Sequence, residues 1–150
     1  MTTPQIYDRI FLTIKEKELP DMKVLVLSNG ELKAQDIGTG LEELQKIVGG
    51  YIEIPFLSKV FRDNAIDMII NEEGKFIEGM KAEIAIVNEE QGNILDIVYG
   101  NCIFASHDDE GNTIGLTEGQ VKVVEEELET VIELMNTKTF EEFEVRVLFI

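Results

Sequence analysis

Residues Leu41–Ile54 read LEELQKIVGGYIEI, and the reading of this stretch decides the fold. Its first half places Leu41, Leu44, Ile47 and Val48 on one helical face, while Tyr51–Ile54 alternates as a strand does and is closed by Pro55. Gly49 and Gly50 stand at the changeover. Gly49 is expected to end the helix in the left-handed conformation that glycine enters without a steric penalty. Gly50 is expected to let the next strand leave close to its sheet. Thr39 and Glu42 have the spacing of a capping box, and Glu42 and Glu43 place negative charge in the first turn. A phosphate at that helix start would meet repulsion, so Gly38-x-Gly40 reads as capping architecture and not as an anion site.

Upstream of this stretch, Lys23–Leu27 is a strand, Asn29-Gly30 a tight hairpin turn, and Leu32–Ile37 the returning strand. Before them, Ile6, Tyr7, Ile10, Phe11 and Ile14 recur at helical spacing and predict a helix over Pro4–Glu16, ended by Pro20. Downstream, Phe56–Asn64 suggests a helical turn and Ala65–Ile70 a buried strand. Asn71–Gly74 reads as a turn with Lys75–Ile77 returning, and Met80–Asn88 as a short helix broken at Gln91-Gly92. Ile97–Ala105 reads as one strand carrying Val98, Gly100, Cys102 and Phe104 on one face, which makes Cys102 a core residue. Asp108–Asn112 is a further hairpin turn.

Thr117 and Gln120 form a second capping box. Val121, Val124, Leu128, Val131, Ile132 and Met135 then extend an apolar stripe that predicts a long helix, with Glu125, Glu126 and Glu129 on its other faces. Phe143, Val145, Val147 and Phe149 alternate as a C-terminal strand. Hairpins and helices interleave without repeated βαβ units, so the expected fold class is α+β: a single domain over 1–150, mostly antiparallel sheet.

Thirteen Lys and Arg stand against thirty Asp and Glu, for a net charge of −17. Residues 1–40 carry six acids and five bases, whereas residues 41–150 carry twenty-four and eight. Such a surface repels nucleic acid and anionic membrane and attracts basic partners. The chain lacks an apolar run approaching the ~20 residues that span a bilayer. It also lacks a basic-then-apolar leader, and Cys102, its single cysteine, has no internal disulfide partner. A cytoplasmic protein is the expectation.

The sequence carries few residues in catalytic patterns. His107 is the single histidine and borders a predicted turn. There is no CxxC pair, no HExxH and no phosphate-binding P-loop. Aligning Gly111 or Gly74 as the sixth residue of a calcium loop puts Thr117 or Met80 where a bidentate Glu is required. No metal, cofactor or enzymatic activity is expected.

Leu44–Glu53, Asn71–Lys75, Tyr99–Asn101, Asp109–Gly111 and Leu116-Thr117 together resemble a family catalogued as domain of unknown function 3846, over about residues 23–127. Members of that family are typically encoded by bacteriophages and mobile elements, so the resemblance implies such an origin and a bacterial cytoplasm. It supplies no catalytic residues. The chain departs from the pattern at Phe56–Asn64, which looks inserted, and near Met80, where Lys81, Ala82 and Glu83 stand in place of an expected asparagine. Residues 1–20 and 139–150 lie outside it.

Three functional expectations follow. The first is an acidic protein that binds and inhibits a host defence factor of the restriction or CRISPR type. It would occupy that factor's basic nucleic-acid-binding surface as a DNA mimic through Glu118, Glu125, Glu126, Glu127 and Glu129. The second is a small-ligand module that sequesters a nucleotide signal at the glycine-rich junction. The third is a structural or accessory phage protein. Gly49, Gly50, Tyr51, Glu53, Asn71, Gly74, Tyr99 and Gly100 are expected to be structural motif residues. The partner is a host protein with a basic surface, with no direct contact to nucleic acid or membrane.

Overall fold

The computed structural model describes residues 21–55 and 58–150. The expected helix over Pro4–Glu16 lies outside the described residues. Strands β1 (Met22–Ser28) and β2 (Glu31–Ile37) form the expected hairpin, with Asn29 and Gly30 both at positive φ (52° and 81°). Helix α1 (Leu41–Val48) leads through Gly49 to the short strand β3 (Ile52–Glu53). Helix α2 (Lys59–Asp63) and strand β4 (Ile66–Asn71) follow, then a 3-10 turn at Gly74–Phe76 and strand β5 (Ala82–Val87). The chain continues as β6 (Ile94–Tyr99), β7 (Cys102–His107), β8 (Thr113–Ile114), α3 (Glu118–Glu127), β9 (Val131–Met135) and β10 (Glu142–Phe149).

These elements build an α+β fold from two sheets. The first has the order β2-β1-β7-β4-β3, with β8 pairing the far end of β7; the second has the order β6-β5-β10-β9. Every pair is antiparallel except β5 with β10, which is parallel. Leu25, Leu27, Met68 and Phe104 of the first sheet pack against Ile84, Ile86, Val98 and Leu148 of the second, with Val124 and Leu128 from the α3 segment. The alternate residues Val24 and Val26, with Ile69 and Ile103, are covered by Leu44 and Val48 of α1. The inner strand β1 is therefore buried on both faces, which is why Val24–Leu27 is continuously apolar.

Five local expectations are corrected. Thr39 and Glu42 form no capping box: Gly40 is the N-cap, in an extended conformation and without a side-chain cap bond. Lys75–Ile77 is not a strand, because the chain winds a 3-10 turn closed by Phe76 N–H donating to Glu73 O at 2.9 Å. Met80–Asn88 is not a helix. Residues Ala82–Val87 are all buried and form an inner strand between β6 and β10, and a short run apolar on both faces has no period that separates strand from helix.

Ile97–Ala105 is two strands in different sheets, separated by Gly100 at φ 87°. Val98 and Cys102 reach the same core from opposite sides, so the apolar alternation runs straight through the break. The last helix stops at Glu127 with Leu128 as its C-cap, and Val131–Met135 is a strand registered on β10. The helical stripe beyond Leu128 was a coincidence of spacing: Val131, Glu133 and Met135 point to solvent, while Ile132 and Leu134 are half-buried. The Thr117–Gln120 capping box is present, each side chain accepting from the other's backbone N–H.

Candidate functional site: a signature junction and a carboxylate face

The C-terminal end of α1 is held by two asparagines from distant parts of the chain. Asn71, at the end of β4, donates Nδ2 to Val48 O at 3.0 Å, and its Oδ1 accepts from Glu73 N at 2.7 Å. Asn101, between β6 and β7, donates Nδ2 to Ile47 O at 2.9 Å. Gly49, at φ 81°, and Gly50 both send their N–H groups back to Gln45 O. These bonds occupy carbonyls that a helix end otherwise leaves to solvent. A side chain on Gly50 would start 2.9 Å from Asn71 Nδ2, and one on Gly74 would start 2.5 Å from Tyr99 O. The motif segments around Gly49-Gly50, Asn71–Gly74 and Tyr99–Asn101 thus converge on one junction where the helix, both sheets and the 3-10 turn approach one another, while Asp109–Gly111 lies in the turn beyond the other end of β7.

Two open cavities flank this junction. One, of about 310 Å³, lies between β3, the 3-10 turn and β6. Its floor is Ile70, Val98 and Tyr99, and its rim carries Glu53, Glu72 and the Lys75–Asp96 ion pair at 2.5 Å. Phe76 stands at the lip, 84% exposed. The other, of about 380 Å³, opens beyond the end of α1 beside Lys46, Gly49, Lys81, Glu83 and Asn101.

Glu83 is the residue that sequence reasoning missed. It is 3% exposed, and its two carboxylate oxygens accept from Asn29 N (3.0 Å) and Gly30 N (2.8 Å). The opposite side of the same turn is bound by Arg146, whose Nη2 donates to Gly30 O at 3.0 Å while Nη1 donates to Leu128 O at 2.9 Å. Two charged residues of the second sheet thus clamp the hairpin turn of the first. A Lys-Ala-Glu run read as helix gave no sign of this, because the pairing is set by strand registers.

The carboxylates expected to meet a partner are distributed unevenly. Glu118 opens α3, and Glu125 and Glu126 are exposed near its end. Glu129 is exposed but lies past the helix, so the four glutamates from 125 to 129 do not share one helix. Glu127 is half-buried. Burial, and then the negative charges of Glu89 and Glu126, hold its carboxyl above the ordinary glutamate range. Glu89 arrives from the turn after β5, a juxtaposition invisible in sequence. Glu133 and Glu144, both exposed, face each other across β9 and β10. Among the described residues, none of the ion pairs involves any of these eight carboxylates.

Other candidates resolve into local structure. Cys102 is buried with Sγ near Gly100 O at 3.5 Å, and burial followed by the nearby charge of Glu83 pushes its thiol far up. A thiol held protonated is a poor nucleophile. His107 ends β7, exposed, with Nδ1 3.0 Å from Asp67 Oδ2. Asp108 spends its carboxylate on its own turn, accepting from Asn112 N at 2.8 Å and from Asn112 Nδ2 at 3.1 Å. These bonds hold its carboxyl low. Among the described residues, no group of three or more His, Cys, Asp or Glu is placed to hold a metal ion, and no helix is long and apolar enough to cross a membrane.

Fold and junction together define a two-sheet α+β domain whose motif residues meet at the end of one short helix. The chain belongs to the family described as Domain of unknown function (DUF3846), whose model matches residues 22–129. No curated protein and no solved structure matches it. The matched region ends before β9 and β10, so the inner strand β10 lies outside it.

Proposed function

We propose that this protein is a phage- or mobile-element-encoded binding protein, without catalytic activity of its own, that inhibits a host defence nucleic-acid-binding factor through its carboxylate surface. The observation that carries this reading is that Glu89 and Glu126 bring like charge to Glu127, and that none of the three enters an ion pair among the described residues. Like charges held together raise the free energy of the unbound protein, and a basic partner relieves that repulsion on contact. Complementary charge also speeds encounter and makes it salt-sensitive. A DNA-mimicking role fits the same chemistry, since a basic groove built for phosphates accepts carboxylates.

The test is titration of the purified protein into cleavage reactions of restriction and CRISPR-type nucleases, at low and at high salt. Inhibition that weakens by about tenfold or more from 50 to 300 mM salt supports the proposal. So does its loss in a Glu125→Gln, Glu126→Gln, Glu127→Gln variant that still folds. Equal inhibition by that variant contradicts it.

A second reading, a nucleotide-sequestering module, draws on the 380 Å³ cavity beside Lys46 and Lys81. A thermal-shift series with mono- and cyclic nucleotides decides it: stabilisation that disappears in Lys46→Ala and Lys81→Ala favours this reading, and no stabilisation removes it.

A further inference from the structure

The 310 Å³ groove has a chemistry distinct from the rest of the surface. Its two long walls come from β3 and β6, each the edge strand of its own sheet. The 3-10 turn is pressed against β6 so closely that Gly74 leaves no room for a side chain. The floor carries the apolar side chains of Ile70 and Val98, with Tyr99 also lining the groove. Around it stand three carboxylates, Glu53, Glu72 and Asp96, against one ammonium, Lys75. Lys75 is committed to Asp96, while Glu53 and Glu72 enter none of the ion pairs among the described residues. Phe76 projects at the lip, and Tyr51, 73% exposed, stands beside β3.

We propose that this groove receives an arginine side chain projecting from a basic protein partner. The apolar floor suits the three-carbon stem, and the carboxylates of Glu53 and Glu72 suit the guanidinium fork. The exposed face of Phe76 suits stacking of the planar cation. Lysine fits less well, because its ammonium neither stacks nor bonds two carboxylates in a fixed plane. An aromatic and arginine contact inside an apolar surround is the composition of an interface anchor. Ile54 beside β3 and Ile94 and Leu95 on β6 are exposed and extend the apolar edges. The inference deepens the proposed function by naming the anchor on the partner, and it rests on that reading for the partner's basic character.

The experiment uses the full chain, labelled with ¹⁵N, and two blocked pentapeptides, acetyl-Gly-Leu-Arg-Leu-Gly-amide and its norleucine counterpart. With the arginine peptide, amide shifts should concentrate at Glu53, Glu72, Lys75, Phe76 and Tyr99. The norleucine peptide should bind at least about tenfold more weakly. Phe76→Ala and a Glu53→Gln, Glu72→Gln double variant change exposed side chains, and each should weaken the arginine peptide by about fivefold or more. Equal binding of the two peptides overturns the proposal, as do shifts that spread over α3 and avoid the groove. The Glu125→Gln, Glu126→Gln, Glu127→Gln variant separates the two ideas. If it keeps peptide binding while the wild type inhibits no nuclease, the proposed function fails and the groove stands. If inhibition depends on α3 and the peptide never enters the groove, the groove alone fails.

Discussion

Asn71 Nδ2 donates to the carbonyl of Val48 at 3.0 Å, and this one bond joins the end of β4 to the end of α1 across twenty-three residues of sequence. The side chain is 5% exposed and also accepts from Glu73 N, so it closes the helix and shapes the following turn together. Replacing Asn71 by Ala should destabilise the fold by about 2 kcal/mol, since it strands a buried carbonyl as well as removing two bonds. Asn71→Asp should cost at least as much, because it sets a carboxylate oxygen against Val48 O. Urea unfolding of both variants checks this, and a loss below ~0.5 kcal/mol would mean that water replaces the amide.

At the glycine pair, the two residues should respond differently. Gly49 has space around it, the nearest contact for a Cβ being Met80 Cε at 3.5 Å, but its φ is 81°. Gly49→Val should therefore cost more than Gly49→Asn, by ~1 kcal/mol or more, because asparagine tolerates the left-handed region and a β-branched residue does not. Gly50→Ala acts by displacing Asn71. Its cost should shrink when combined with Asn71→Ala, and a double-mutant cycle measures that coupling. Strict additivity would show that the two side chains do not compete for one space.

Glu83→Gln removes the charge from an acceptor serving two backbone N–H groups and places an amide nitrogen where an oxygen stood. A loss of roughly 1–3 kcal/mol is expected from the unpaired N–H. Hydrogen exchange should show that the protection lost is centred on Asn29 and Gly30. Loss spread evenly over both sheets would contradict a local clamp.

Glu127 makes the stability depend on pH in a stated direction. Its carboxyl titrates higher in the folded protein than in the unfolded chain, so between the two values the folded state binds more protons. Stability contributed through this group therefore falls as pH rises through that window, and returns as pH is lowered. Glu127→Gln should raise Tm at pH 7, and the difference from wild type should fade as pH drops toward the ordinary glutamate value of about 4.3. Thermal melts of the two proteins across pH 4 to 7 test this. A variant less stable than wild type at pH 7 would show that Glu127 has a favourable partner.

A chain ending at residue 129, the end of the family match, loses β9 and β10. Val145, Val147 and Leu148 are buried, and β10 lies between β5 and β9. Removing an inner strand exposes apolar surface at ~25 cal/mol per Å². The truncated chain should show no cooperative thermal transition, whereas a native-like melt would mean that β5 and β6 hold without it.

Much of the fold is legible residue by residue wherever the signal is local. Asn29-Gly30 demands positive φ at both positions, and the turn is there. Leu41–Val48 carries a helical stripe that ends at a glycine, and Thr117 with Gln120 caps α3. The failures share a cause. Ala82–Val87 is buried on both faces, so burial erased the period that marks a strand. Gly100 breaks Ile97–Ala105 without interrupting its apolar alternation, because both halves face one core. Past Leu128, a helical spacing of apolar residues fitted by chance where a strand begins.

The sequence by itself determined the charge, the class of fold, the family and the segments that mark it, since each depends on composition or on neighbours in the chain. It also located the acids without their neighbours. Only the tertiary structure decided that Asn71 and Asn101 close the LEELQKIV helix, that Glu83 holds a turn more than fifty residues away, and that Glu89 stands beside Glu127. Those relationships depend on which strands pair and in what register. Register is a property of two segments packed together, and neither segment carries it alone.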